Sequence, residues 1–463
     1  MSENPFLHLD QQITGDIYTS PEIQENLARL CDEFGSRFAG TEGERLAAEF
    51  LKTRLEAYGL KNVHLEPVDY LGWRRKEATL EVLSPLEKRI ACISLPHTPA
   101  RVVEADLIDM GDGAPAAFER RADEIRGKIV MANSEIAPAG VRRWIHRNEK
   151  LGRSILAGAV GFIFINHYPG YGPATGGIGH KGRLALVPGI SLSYEDGAYL
   201  QRLLAREGQV RVRLTTRDES APMQSWNVVG ELPGEGEEIV ALGCHYDGHD
   251  ISQGATDPAS GVVAVLEAAR ALSKYAGTLP CTLRFIFWGI EEIGLLGSSA
   301  YVQTHEDELD RFRFYFNMDS AGAVKEKGVM LNEWPDLAPL FKRWSKEMAW
   351  PFEVGQSVNA HSDHFPFLKA GVPTGGMEQV KKTLSGRGYG HTAHDTLDKT
   401  DLTSMREAAM LAARLALRIA SQPGWPAQRR TPQEVAALFD KPEYQEAAAF
   451  REALDEYYRT HGG

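Results

Sequence analysis

The stretch EIVALGC-HYDGHDISQ-GATDPAS-GVVAVLEAARAL, residues 238–272, carries the pattern of a strand, a loop and a helix. EIVALGC (238–244) reads as a strand, and GVVAVLEAARAL (261–272) as an amphipathic helix, with a polar loop between them. Outward from there the alternation repeats. NVVGEL (227–232) precedes it, with Gly234 and Gly236 in the turn. TLRFIFWG (282–289) is a near-continuous apolar run, the mark of a strand buried on both faces. FRFYFNMD (312–319) is another strand, a short strand and turn follow near 371–376, and SMREAAMLAARLALRIA (404–420) is a helix. Strands alternating with helices predict an α/β domain with a mixed, largely parallel central sheet flanked by helices.

Upstream, Leu27, Leu30 and Cys31, then Ala47, Phe50, Leu51 and Leu55, repeat at helical spacing. GSRFAGTEGE (35–44) breaks that pattern, and Thr41 with Glu44 has the form of a capping box. VHLEPVDYL and ATLEVL read as strands. From about 99 to 215 the character changes. GKIVMA (127–132), SILAGAVGFIFIN (154–166), GAYLQRLLARE (197–207) and VRVRLTT predict a small β-rich domain with its own core. Its loop HYPGYGPATGGIGHKG (167–182) is glycine-rich, but without GxxxxGK[ST] it is no phosphate cradle. Arg142, Arg143 and Arg147 are expected on a solvated helix face, and Trp73 is expected to pack. From Pro432 two short helical pieces run to a charged tail.

The 463 residues carry 51 Lys+Arg against 63 Asp+Glu, a formal charge of −12, which argues against a nucleic-acid footprint. Four cysteines without CxxC spacing make neither a disulfide framework nor a structural zinc site, so buried free thiols are expected. No apolar run approaches the ~20 residues of a spanning helix. The opening MSENPFLHLDQQ lacks a basic segment followed by an apolar one. The expectation is a cytoplasmic protein without a membrane partner.

In open α/β sheets, ligands gather outside the carboxyl ends of the strands. There the chain delivers His245-Tyr246-Asp247, Glu291-Glu292 and Asp319, with Asp257 in the loop before the helix. Gly390-His391-Thr392-Ala393-His394 brings further imidazole. One such residue is ordinarily a cap or a satisfied polar group. Several strand ends all supplying carboxylate or imidazole suit a divalent metal, zinc first and manganese or cobalt next. Spacing alone does not separate Glu291 from Glu292, nor His391 from His394.

HYD, GATDPASG, WGIEEIGLLGS, NMD, SDHFPF and HTAHDTLD resemble, in this order, the signature of the M28 family of co-catalytic zinc exopeptidases. The likeness covers about 227–420 and reaches SRFAGTEGERLAAEFLKTRLEAYGL; the segment near 99–215 resembles the protease-associated domain often inserted in this family. The resemblance implies a zinc exopeptidase-like fold with residues 1–98 and 216–430 in the catalytic domain, 99–215 inserted, and 431–463 as a helical tail. It implies His245 and Asp319 as ligands of one zinc, Glu292 and His391 as ligands of the other, and Asp257 bridging both. Glu291 would be the general base and Asp247 the residue orienting His245. Two zinc ions would bring four positive charges against three from Asp257, Glu292 and Asp319, leaving Glu291 to accept a proton. The family's cis peptide after the bridging aspartate predicts a cis Asp257–Pro258 bond, which proline makes accessible.

Tyr389 and Arg387 are candidates for an oxyanion contact and a substrate carboxylate contact, and His361, Ser362, Asp363 and His364 for loop support. The expected activity is hydrolysis of a peptide at a chain end, an aminopeptidase first, because an acidic site draws a free amine. A carboxypeptidase or dipeptidase, a metal-dependent amidase or cyclase, the cyclase with one metal, and a catalytically inactive binding or scaffold relative are the alternatives. The partner expected is a peptide; a homo-oligomer is compatible with the sequence.

Overall fold

The computed structural model describes residues 4–141, 143–380 and 388–462. They divide between two compact units, the first drawing on Met1–Asp69, Gln224–Thr383 and Asp395–Leu438 and the second on Tyr70–Met223, Leu384–His394 and Phe439–Gly463.

The first unit is built on an eight-stranded sheet in the order Lys61–Arg74, Glu219–Leu232, Thr282–Trp288, Ile239–His245, Phe312–Asn317, Thr374–Glu378, Gly328–Leu331, Glu353–Gln356. The four strands from Thr282–Trp288 to Thr374–Glu378 are parallel, with antiparallel neighbours at either side. Alternate residues of the central strand serve both faces. Val240, Leu242 and Cys244 join the core under the helices Ser260–Ser273 and Leu402–Ser421, while Ile239 and Ala241 join Ile286, Trp288, Tyr315 and Phe367 on the other side. Two buried faces are why these strands read as apolar runs.

The register brings the strand ends into line. His245 pairs with Trp288, and Gly243 with Asn317, so three strands end at one edge of the sheet. Gly261 opens the helix that returns from this edge, and a Cβ there would meet the Asp319 carbonyl oxygen at 1.6 Å. Only glycine allows that approach.

The N-terminal helix Leu7–Thr19 extends beyond the expected helical region. Its buried Asp10 accepts hydrogen bonds from Arg414 (2.9 Å) and Arg418 (2.7 Å) of the long helix. The Thr41 hydroxyl caps the helix Glu42–Ala57 by accepting from the Glu44 amide, but the Glu44 carboxylate reaches back to the Gly40 amide (2.6 Å) instead of to Thr41.

The second unit has its own eight-stranded mixed sheet, in the order Lys88–Ile90, Ala78–Ser84, Arg211–Thr216, Arg101–Asp109, Ile129–Asn133, Gly161–Ile165, Gly189–Leu192, Ile93–Ser94. The C-terminal segment gives helices of 8 and 20 residues, Pro432–Phe439 and Pro442–His461, so the second piece is not short. That longer helix belongs to the second unit, where Arg153 reaches Glu446 (2.8 Å) and Asp455 accepts from His180 and Lys181. The solvated arginine face expected at 143–147 is corrected here. Arg143 pairs with Glu149 (2.6 Å), and Arg147 is buried, its guanidinium donating to the carbonyls of Thr175 and Gly177. A glycine-rich loop without regular structure leaves its carbonyls to be satisfied, and this arginine satisfies two of them. Arg142 lies outside the described residues. Trp73 is buried, as are three of the four free cysteines. No helix among the described residues is long and apolar enough to cross a membrane.

Candidate metal centre

The aligned strand ends of the first unit gather one imidazole and four carboxylates. His245, Asp257 and Glu292 offer ligand atoms within 4.8 Å of one another, and so do His245, Glu291 and Asp319. His245 is buried, and its Nε2 lies 3.3 Å from Asp257 and 3.6 Å from Asp319.

The orientation of His245 follows from the other ring nitrogen. Nδ1 lies 2.9 Å from the Asp247 carbonyl, which can only accept, so Nδ1 carries a proton and Nε2 is turned toward the carboxylates. The expected role of Asp247 is thus divided. Its backbone orients His245, while its carboxylate accepts from the amides of Glu291 (3.0 Å) and Glu292 (3.3 Å) and holds both glutamates at the strand end.

Asp319 is held by a relay in which each group donates to the next. Trp288 Nε1 donates to Tyr315 (2.7 Å), the Tyr315 hydroxyl to Asn317 Oδ1 (2.9 Å), Asn317 Nδ2 to Ser362 (2.7 Å), and Ser362 Oγ to Asp319 Oδ2 (2.6 Å). Ser362 thus supports the site from the loop, and Asp363 accepts from Ser298 (2.6 Å) beside it. Asp257 follows a turn pinned by Asp395, which accepts from the Thr256 amide and hydroxyl (2.7 Å each) and the Asp257 amide (3.1 Å). The Asp257–Pro258 bond is cis, as expected.

Two contributors were missed in the sequence reading. His249, buried, places Nε2 2.8 Å from Glu292 Oε2. It stands four residues beyond His245 in the same loop, and a second imidazole so close in HYDGH was the available clue. Arg37 is fully buried and ties the loop to the N-terminal segment, donating to the carbonyls of Tyr246 (2.9 Å), Gln253 (2.7 Å) and Gly254 (2.9 Å).

The electrostatics are those of a cation site. Burial raises the Glu291 carboxyl well above its ordinary range; His245 opposes this, and the Glu292, Asp363 and Asp319 carboxylates reinforce it. Burial alone would discourage charge on His245, yet Glu291, Asp247, Asp257 and Asp319 drive it toward the protonated form. Oxygen and imidazole donors converging at one buried edge, with carboxylates crowding one another, fit zinc or a similar divalent ion.

His391 belongs to the second unit. There its Nδ1 faces the Thr175 carbonyl (3.2 Å), and the Thr175 amide donates to the His391 carbonyl (2.8 Å). His394 is exposed. Tyr389 is exposed and packs its ring 5.2 Å from that of Tyr171. Arg387 lies outside the described residues.

Comparison with known proteins agrees with this chemistry. Residues 227–416 match peptidase family M28, and residues 99–200 match the PA domain. The chain is 28% identical over 403 residues to carboxypeptidase Q of Bos taurus, covering 84% of this chain and 83% of that one. It is 28% identical over 383 residues to leucine aminopeptidase 2 of Trichophyton equinum, covering 79% and 73%. A solved peptidase M28 precursor from Shewanella amazonensis superposes with a TM-score of 0.76 at 24% identity, covering 92% of this chain and 98% of that one. Motifs, sheet and donor set thus agree with a match to peptidase family M28 over residues 227–416, with a match to the PA domain ahead of it.

Proposed function

We propose that the protein is a zinc exopeptidase with two metal ions, acting first of all as an aminopeptidase. The observation that carries this reading is the convergence of His245, Asp257, Glu291, Glu292 and Asp319 at one sheet edge, with His245 Nε2 turned toward the carboxylates. His245 and Asp319 would hold one ion, Glu292 and His391 the other, and Asp257 both. Bound zinc supplies Lewis acidity toward a carbonyl oxygen and acidifies water.

The chain's own residues do the rest. The Asp247 carbonyl fixes the tautomer of His245, and the relay through Ser362 fixes the face that Asp319 presents. Glu291 stands beside the donors at the end of the same strand as Glu292, held through its amide by Asp247. Its raised proton affinity suits it to take a proton from water and return it to the leaving amine. The acidic surroundings favour a substrate that presents a free α-amine.

Two experiments test this. Metal analysis with a peptide panel blocked at the N- or the C-terminus should find zinc and hydrolysis that stops when the N-terminus is blocked. Indifference to that block, with sensitivity to C-terminal blocking, would replace the aminopeptidase by a carboxypeptidase. Glu291→Gln should retain its metal and lose turnover, and activity kept by that variant would remove Glu291 from the role of base.

A further inference from the structure

We propose that a cavity in the second unit, bordered by His391, is a subsite for a carboxylate carried on an apolar stem, with Lys150 as its anchor. This rests on the reading that His391 belongs to the reacting centre. The cavity leaves about 50 Å³ of free space and opens toward solvent. Ile136, Ile145 and Phe164 form apolar wall, Arg147 and Lys150 enter from the first turn of the helix Arg147–Leu156, and His391 stands in the lining.

Lys150 is 1% exposed. Its Nζ donates to the carbonyls of Asn133 (2.7 Å) and Glu135 (2.5 Å), and an ammonium has three donors, so one remains. Among the described residues no carboxylate forms an ion pair with it; Asp112, Glu135 and Glu149 act on it from farther away. A buried cation held only by neutral carbonyls is under-compensated. Burial lowers its pKa, but only to about 8, so it keeps its proton at neutral pH.

The surroundings repeat that sign. The Arg147 guanidinium, bound to two carbonyls, lies 5.7 Å over the Phe164 ring. The helix N-terminus adds partial positive charge. The acid of that first turn, Glu149, is already engaged by Arg143 (2.6 Å) and Arg153 (2.8 Å). A purely apolar ligand would leave Lys150 uncompensated and a cationic one would be repelled. A carboxylate whose stem lies along Ile136, Ile145 and Phe164 satisfies both. In a peptide that group is the terminal carboxylate or an acidic side chain.

The test compares kcat/KM of the zinc-loaded protein for the dipeptide Leu-Phe, its C-terminal amide and Leu-Glu amide. Leu-Phe should exceed Leu-Phe amide by about tenfold or more, the scale of a hydrogen bond to a charged group, and Lys150→Met should bring the ratio toward one. Recovery of the rate by Leu-Glu amide would make an acidic side chain the source. Equal rates for all three in the wild type would overturn the proposal whether or not the variant folds, and so would an undiminished ratio in a folded Lys150→Met. If the wild type hydrolyses none of these nor leucinamide, the exopeptidase reading fails on its own. The subsite is then decided by calorimetry, in which N-acetylphenylalanine should bind and its amide should not; no binding of the acid overturns it.

Discussion

Replacing Ser362 by alanine removes one hydroxyl and breaks the relay that ends on Asp319. Ser362 Oγ donates to Asp319 Oδ2 at 2.6 Å and accepts from Asn317 Nδ2 at 2.7 Å. In Ser362→Ala the carboxylate loses the donor that holds its orientation, while Oδ1 keeps its place 3.6 Å from His245 Nε2. A hydrogen bond to a charged group is worth about 1.5–3 kcal/mol. At about 1.4 kcal/mol per tenfold, that is a loss of about ten- to a hundredfold in affinity for the metal Asp319 would hold, the scale seen when partners of metal ligands are removed. Asn317, left with a buried donor, would also cost the fold about 1–3 kcal/mol. Zinc affinity measured by competition with a chelator, beside melting of the metal-free protein, separates the two effects. An unchanged zinc affinity in a variant that melts lower would refute the reasoning, because the relay would then support the loop and not the ligand.

Two further outcomes are expected. His391→Ala should lower bound zinc measured by elemental analysis, whereas His394→Ala, on an exposed side chain, should leave it unchanged. Asp10→Asn should destabilise the first unit by about 3 kcal/mol in denaturant titrations, since it strips a buried partner from Arg414 and Arg418. Burial raises the Asp10 pKa, but hydrogen bonds from Arg418, Arg414 and Asn4 outweigh it and hold it down at about 2 against an ordinary 3.8. A folded pKa below the unfolded one means stability present above about pH 4 and lost as pH falls toward 2, about 2 kcal/mol in all. That acid-side slope should flatten in Asp10→Asn, and an unchanged slope would show that the pair does not set it.

The alternation around residues 238–272 made the first unit's sheet legible because burial on both faces writes itself into local apolar runs such as TLRFIFWG. The acidic and imidazole residues were legible for a related reason: in a parallel sheet, the residues just past each strand arrive at one edge. Other features had no local trace. Arg147 looked like one charge among several on a helix, and its burial depends on carbonyls of Thr175 and Gly177, some thirty residues away in sequence. The solvated reading failed there because charge patterning carries no information about what packs above it.

The residue types at the strand ends, their order and the alternation that brings them to one edge are written in near-neighbour periodicity. How they are held depends on contacts made on folding. Asp247 divides its backbone and side chain between His245 and the two glutamates, His249 comes to Glu292, and Trp288, Tyr315, Asn317 and Ser362 line up toward Asp319. The burial of Lys150 against carbonyls beside a cavity depends on such contacts too. The physical reason is common to all of these. A hydrogen bond or a buried charge is satisfied by whatever the fold brings within about 3 Å, and for groups distant along the chain that proximity exists only once the sheet has formed.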